Sequence, residues 1–307
     1  MTAAVPVAAA TAQGDDAILD AAFLARLRSL FVRIRRRRRQ RRLGAEATPA
    51  AGQTREFRDR RQYVRGDDFR SVDWRLYARL DRLFVRVFEE IHEYHVHLVL
   101  DRSCSMARPH AAKRRDALRV VAGLAYLALS HGHRVSLHSV GAGARRELPP
   151  LKGQGHIHRL IEHLLRVPFD GRSELSGELD ALAPGRGVLF LVSDGYAADP
   201  AACDRWLTPL RRFPGEAHLV RVADPAEADP GAIGEVLLED VETRELRRVD
   251  LTHEDAARYR DAYRGFVEAV RGFCTQWRIG HHEWSTAAPF DDQLLALLER
   301  GGALGQG

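Results

Sequence analysis

Val96-His97-Leu98-Val99-Leu100-Asp101-Arg102-Ser103-Cys104-Ser105 decides how this chain is read. Its first five residues are β-rich and apolar at the end, the mark of a strand buried on both faces of a parallel sheet. A carboxylate and two hydroxyls at alternate positions follow where the strand stops. In an open α/β sheet, that carboxyl end is where ligands bind. One Asp and two Ser offer hard oxygen ligands, which suit Mg²⁺ or Mn²⁺ and not Zn²⁺. A site with so few carboxylates leaves a cation under-neutralised, with room for a carboxylate from another molecule. The plain alternative is a strand that ends in a polar turn.

The sequence after this stretch alternates regularly. Strands are predicted over 95–100, 134–140, 187–193, 218–222 and 278–284, with a short edge strand over 145–148. Helices are predicted over 111–131, 154–166, 173–182, 200–212, 252–276 and 290–300. The first of these buries Leu118, Val121, Leu124, Ala125 and Leu129. Thr252 caps the long helix, with Glu254 and Asp255 favouring its dipole. A hairpin is expected from 235–238 and 245–249. The pattern predicts an α/β fold over 93–300, with a doubly wound, mostly parallel sheet covered on both faces.

Composition bounds the rest. The chain has 307 residues, 45% of them apolar, and a net charge of +5. Residues 33–42 (RIRRRRRQRR) hold eight arginines; without them the net charge is −3, so one basic segment sits on a mildly acidic body. Only Lys113 and Lys152 are lysines. Cys104, Cys203 and Cys274 are odd in number and widely spaced, which argues against a disulfide framework and for a reducing compartment. No run reaches the roughly 18 apolar residues of a membrane span, and residues 1–14 make a poor signal peptide. The expectation is a cytoplasmic protein.

Before the alternating region lie two segments. Over 1–43, a tail precedes a helix at 16–42, whose Ile18, Leu19, Phe23, Leu24, Leu27, Leu30, Phe31 and Ile34 form one apolar stripe. Its arginine run has two uses, gripping the phosphates of nucleic acid or resting on an anionic membrane surface; otherwise it is a solvated helix end packed on the domain. Over 44–92, a small-residue linker (44–54) leads into an Arg/Asp-rich prelude. Short strands are expected at 55–57 and 61–64, a turn at Gly66-Asp67-Asp68, a helix over 70–79 and a strand over 83–88. The prelude's charges read better as Arg–carboxylate pairs locking it onto the sheet than as a docking surface.

Two resemblances sharpen this reading. The D-x-S-x-S of Asp101, Ser103 and Ser105 resembles the metal-ion-dependent adhesion site of von Willebrand factor A-like domains. That resemblance implies a Thr or Ser in a second loop, supplied by Ser173, and an Asp ending a later strand, supplied by Asp194. Ser103, Ser105 and Ser173 would ligate Mg²⁺ or Mn²⁺ directly, and the two aspartates directly or through water. Ser173 stands where Thr is usual and lacks the methyl that restrains the rotamer. With sheet order 3-2-1-4-5-6, the first and fourth strands are neighbours, so Asp101 and Asp194 would share one crevice. The prelude, through Glu56-Phe57, Arg61 with Tyr63, Gly66-Asp67-Asp68, Arg70, Asp73-Trp74 and Ala78-Arg79, resembles the bacterial and archaeal family called domain of unknown function 58, over roughly residues 50–200. This implies a partner of the MoxR-type AAA+ ATPase class and a chaperone-like role toward a client protein.

The remaining motifs point elsewhere or nowhere. No phosphate-binding loop, nucleophile elbow or H-E-x-x-H motif occurs, and no general base is evident near Asp101, so a metal-dependent hydrolase is the weaker reading and no enzyme is expected. His95 with His97, His156 with His158, and His281-His282 lack a Cys at zinc spacing and read as core or surface histidines. Cys104 reads as filler in the loop.

Overall fold

The computed structural model describes residues 18–42, 55–90, 93–172, 175–182, 184–196 and 203–300. Helix α1 (Ala21–Arg42) is followed by β1 (Arg55–Gln62), α2 (Trp74–Leu80) and β2 (Phe84–Glu90). Then come β3 (His95–Asp101), α3 (Ala111–Ser130), β4 (Arg134–Val140), β5 (Arg145–Lys152), α4 (Ile157–Arg166), α5 (Leu175–Leu182) and β6 (Val188–Ser193). The chain ends with α6 (Cys203–Arg212), β7 (Glu216–Ala223), β8 (Gly234–Glu239), β9 (Leu246–Leu251), α7 (His253–Gln276), β10 (Gly280–Ser285) and α8 (Phe290–Arg300).

Six strands form the central sheet in the order β10-β7-β6-β3-β4-β5. All pair in parallel except β5, which runs antiparallel to β4. Counted from β3, this is the expected order, and β3 and β6 lie side by side with Leu100 opposite Val192. Alternate residues serve two cores. Val96, Leu98, Leu100, Phe190 and Val192 pack with α1, α3, α4 and α8, while Val99, Leu189 and Leu191 pack with α5, α6 and α7. Both central strands are therefore sealed from water on both faces, which is why their sequences read as continuous apolar runs. Strands β8 and β9 form a separate hairpin.

The prelude differs from its expected outline. Residues 55–62 make one strand, bulged between Phe57 and Asp59, and pair antiparallel with β2 as a second small sheet. Two short strands were expected because the arginines and aspartates here show no alternation to mark one longer strand. The expected helix over 70–79 is split: a 3₁₀ turn covers Phe69–Ser71, and α2 starts afresh at Asp73, whose carboxylate accepts the Leu76 N–H at 3.2 Å. Asp73 also accepts from Arg60 at 2.8 Å, and Asp67 takes Arg61 in a two-pronged pair at 2.7 and 2.6 Å. These ion pairs tie β1 to the turn and helix that follow it, rather than to the large sheet.

Helix α1 starts five residues later than expected and runs to Arg42, with its side chains described as far as Ile34. Phe23, Leu27, Leu30 and Ile34 are buried in the first core. Phe23 meets Phe290 of α8 edge-on at 5.3 Å, and Arg26 pairs with Asp291 at 2.7 Å. The stripe is thus turned toward α3 and α8, and is not free for lipid. The expected tail over 1–14 and linker over 44–54 lie outside the described residues. No helix among the described residues is long and apolar enough to cross a membrane.

One face of the sheet carries three histidines, His95 and His97 of β3 and His138 of β4. His95 and His97 stack at 4.0 Å and His97 lies 5.7 Å from His138. Burial, then the neighbouring positive charges, lowers His97 and His138 to about 4.

Two outcomes follow. Leu27, 1% exposed, loses about 2–5 kcal/mol of stability when changed to Ala, read by denaturant unfolding; a loss below about 0.5 kcal/mol would mean that α1 does not belong to the core. Depressed histidines take up protons more readily in the unfolded chain. Their contribution is therefore intact above about pH 6.5 and is lost as pH falls toward 4. The melting temperature should drop across that window, and His97→Leu should flatten the drop. Carboxylates held low by their partners act mainly below about pH 4, so the two regimes separate.

Candidate ligand-binding crevice

Two carboxyl groups stand at the carboxyl ends of the neighbouring strands β3 and β6, within electrostatic reach of each other. Asp101 and Asp194 are both fully buried. Asp101 Oδ1 accepts the Ser103 N–H at 2.9 Å, and Oδ2 accepts the Ser193 hydroxyl at 2.6 Å. Ser193 Oγ in turn accepts the Gly195 N–H at 2.9 Å. Burial raises the Asp101 carboxyl above the usual range, and the charge of Asp194 adds to the rise. The hydroxyls of Ser103 and Ser105 lie 3.0 Å apart.

The loop that carries these groups is pinned from both sides. The Arg102 N–H donates to Val140 O at 2.9 Å, continuing the β3–β4 ladder. The Cys104 N–H donates to Gly171 O at 2.9 Å and the Gly171 N–H returns to Arg102 O at 3.2 Å. Contact there is so close that a Cβ on Gly171 would stand 1.5 Å from Gly141 O. Gly141 itself has φ +94°, and a Cβ there would lie 2.8 Å from Asp101 Oδ1. Glu178 of α5 accepts the N–H groups of Gly141 and Gly143, the latter at 2.6 Å. The second loop expected to reach the site is therefore bonded to the first at Gly171. Ser173, two residues on, lies outside the described residues.

Asp194 has a partner that the motif does not contain. Its Oδ2 accepts from Lys113 Nζ at 2.7 Å, and its Oδ1 accepts the Tyr196 N–H at 3.1 Å. The same Nζ donates to Glu227 Oε1 at 2.6 Å and lies 5.1 Å from the centre of the Tyr196 ring. Burial alone would depress this ammonium, but the two carboxylates outweigh it and hold the pKa above the ordinary value. Glu227 sits on a 3₁₀ turn, Pro225–Ala228, capped by Asp224 and fastened by Tyr259, whose hydroxyl donates to Glu227 O at 2.8 Å.

Of the five residues expected to hold a cation, the structure gathers Asp101, Ser103 and Ser105 in one loop and sets Asp194 on the adjacent strand end. Sequence reasoning missed Ser193, Glu178, Lys113 and Glu227. Ser193 was visible as the residue before Asp194, and Lys113 as one of only two lysines; nothing local marked Glu178 or Glu227. The donor set suits a hard cation, since Asp101, Ser103 and Ser105 offer only oxygens. Among the described residues no three His, Cys, Asp or Glu side chains form a metal cluster, so a cation here would depend on the hydroxyls.

Comparison with known proteins identifies the family. The family model described as "Protein of unknown function DUF58" matches residues 59–270, and the chain belongs to that family. This is the family that the prelude resembles, and the match runs well past residue 200. The chain is 29% identical over 226 residues to uncharacterized proteins of Mycobacterium tuberculosis and Mycobacterium bovis, covering 69% of this chain and 70% of each relative. It is 27% identical over 116 residues to the uncharacterized protein YeaD of Bacillus subtilis, covering 38% of this chain and 27% of that one. Among solved structures it is similar to BatB from Bacteroides thetaiotaomicron, with a TM-score of 0.40 and 11% identity over 70% of this chain and all of that one.

The raised Asp101 carboxyl makes a further outcome testable. A carboxyl with a raised pKa contributes stability at low pH and loses it as pH rises. Asn at this position keeps an acceptor for the Ser103 N–H and removes the buried charge. Asp101→Asn should match or exceed the wild-type melting temperature in metal-free buffer at pH 8, and gain less at pH 5. An equal loss at both pH values would overturn this account.

Proposed function

We propose that this member of the DUF58 family is a cation-dependent protein-interaction module of the von Willebrand A-like kind. What supports this reading is that the Asp101-Ser103-Ser105 loop and Asp194 stand at the carboxyl ends of adjacent parallel strands, near enough for the Asp194 charge to act on Asp101. Asp101, Ser103 and Ser105 would hold Mg²⁺ or Mn²⁺, with the Ser173 loop supplying a further hydroxyl. The cation supplies an open coordination position with residual positive charge, and an Asp or Glu of the partner fills it. The chain's own groups do the rest. The Ser193 hydroxyl orients Asp101, and Gly141 and Gly171 let the two loops approach.

The partner in this proposal is a MoxR-type AAA+ ATPase, with the pair acting on a client protein in assembly or maturation. This follows from the family resemblance of the prelude. A nucleic-acid or anionic-membrane role through the arginine run is the second reading, and it is weaker because the apolar stripe of α1 is already packed in the core. A hydrolase is weaker still. The ionisable groups nearest Asp194, Lys113 and Glu227, are bonded to each other, and Glu178 is taken up by backbone N–H groups.

Mg²⁺ or Mn²⁺ at millimolar levels should raise the melting temperature of the wild type and leave Asp101→Ala unchanged. Capture of a MoxR-type ATPase from the native host should be lost in EDTA and in Asp101→Ala. No calorimetric binding of either metal at millimolar levels would sink the metal-dependent reading.

A further inference from the structure

Lys113 is an unusual residue in an unusual place. The chain carries 47 Lys and Arg, and only Lys113 and Lys152 are lysines. Lys152 lies exposed at the edge of the sheet, paired with Glu93. Lys113 is 1% exposed and stands in the first turn of α3, beside the loop that follows β3. An ammonium is a compact point charge with three donors, whereas a guanidinium is a broad planar fork. In shape and charge it is the side-chain group nearest to a bound metal ion. Its Nζ sits 2.7 Å from Asp194 Oδ2, on the carboxylate expected to join the cation site, and 2.6 Å from Glu227 Oε1.

We propose that Lys113 is the resident cation of the crevice and sets its affinity for a divalent ion by competing for Asp194. This deepens the cation-dependent reading and rests on it. With Lys113 in place, the negative charge of Asp194 is matched, and an incoming ion meets a like charge within the same low-dielectric pocket. The ion is then left with Asp101 and the hydroxyls. Glu227 gives the ammonium a second carboxylate on a turn whose Pro225 and Ala226 face solvent, so Lys113 stays balanced at the edge of the site instead of being driven wholly into it.

The test compares Mn²⁺ binding by calorimetry, at one pH, to full-length wild type, Lys113→Met, Lys113→Met with Asp194→Asn, and Lys113→Met with Glu227→Gln. Lys113→Met keeps the apolar stem and removes the charge. It should bind Mn²⁺ at least about tenfold more tightly than wild type, a change of about 1.4 kcal/mol. Adding Asp194→Asn should abolish the gain, and adding Glu227→Gln should preserve it. That last variant relieves the excess negative charge, so it serves where the single variant folds poorly. As a second readout, Mn²⁺ should raise the melting temperature of Lys113→Met, alone or with Glu227→Gln, by more than it raises wild type. Equal affinity in wild type and the Lys113 variants overturns the inference while leaving the metal site standing. Binding by the Lys113 variants alone supports the inference and overturns metal dependence of the native protein. No binding by any of them overturns both.

Discussion

Two buried carboxyl groups at neighbouring strand ends form the constraint on which this molecule is organised. Placing Asp101 and Asp194 side by side, away from water, is unfavourable unless each is compensated. The structure compensates them differently. Asp101 is given hydrogen bonds from Ser103 and Ser193, and its pKa rises so that it sheds charge readily. Asp194 is given an ammonium, Lys113 Nζ at 2.7 Å. The backbone is built around this difference. Gly141 and Gly171 admit the loops at distances no Cβ would tolerate, and Glu178 clamps the turn behind them. A crevice this constrained has little freedom to rearrange, as the interaction role proposed above requires if binding is not to be spent on ordering it.

The sheet was legible in the sequence because its central strands obey one rule throughout. Residues 98–100 and 188–192 are apolar on both faces, which marks interior parallel strands, and their order followed from the alternation with helices. The crevice was legible as far as residues lay within a few positions of a strand end: Asp101, Ser103, Ser105 and Asp194. Lys113, Glu178 and Glu227 lie 12, 37 and 33 residues beyond Asp101, Gly141 and Asp194, respectively. Their roles depend on where α3, α5 and the Pro225–Ala228 turn come to rest. No local pattern encodes that, because a charged residue in a first turn of helix or on a capped turn is most often simply solvated.

The prelude failed to read as one strand for the opposite reason. Residues 55–62 (REFRDRRQ) contain six ionisable side chains in a row of eight and a single apolar one, so the two-residue apolar period of a strand was absent. What fixes this segment instead is a set of directional ion pairs. Arg61 grips Asp67 through two nitrogens, and Arg60 holds Asp73 while Asp73 also caps α2. Bidentate guanidinium pairs specify geometry more than they stabilise exposed surface. The small sheet is therefore defined in shape and modest in stability, and the turn and helix beside it expose Phe69, Trp74 and Leu80 to solvent.

The hairpin of β8 and β9 adds charge to the rim of the crevice. Its tip places Asp240 and Glu242 within electrostatic reach of Arg172 and Cys104, the latter inside the loop that carries the two serines. Asp240 is itself committed locally, accepting the N–H groups of Glu242 and Thr243 at 2.9 and 2.7 Å, which makes the tip a formed turn rather than a loose arm. Arg108 and Asp170 lie within the same reach of Cys104, so the rim is mixed in charge. In the interaction-module reading proposed above, a partner carboxylate would be repelled by Asp240, Glu242 and Asp170 and drawn by Arg108 and Arg172, so these fixed charges bias its orientation before any contact with the buried groups is made.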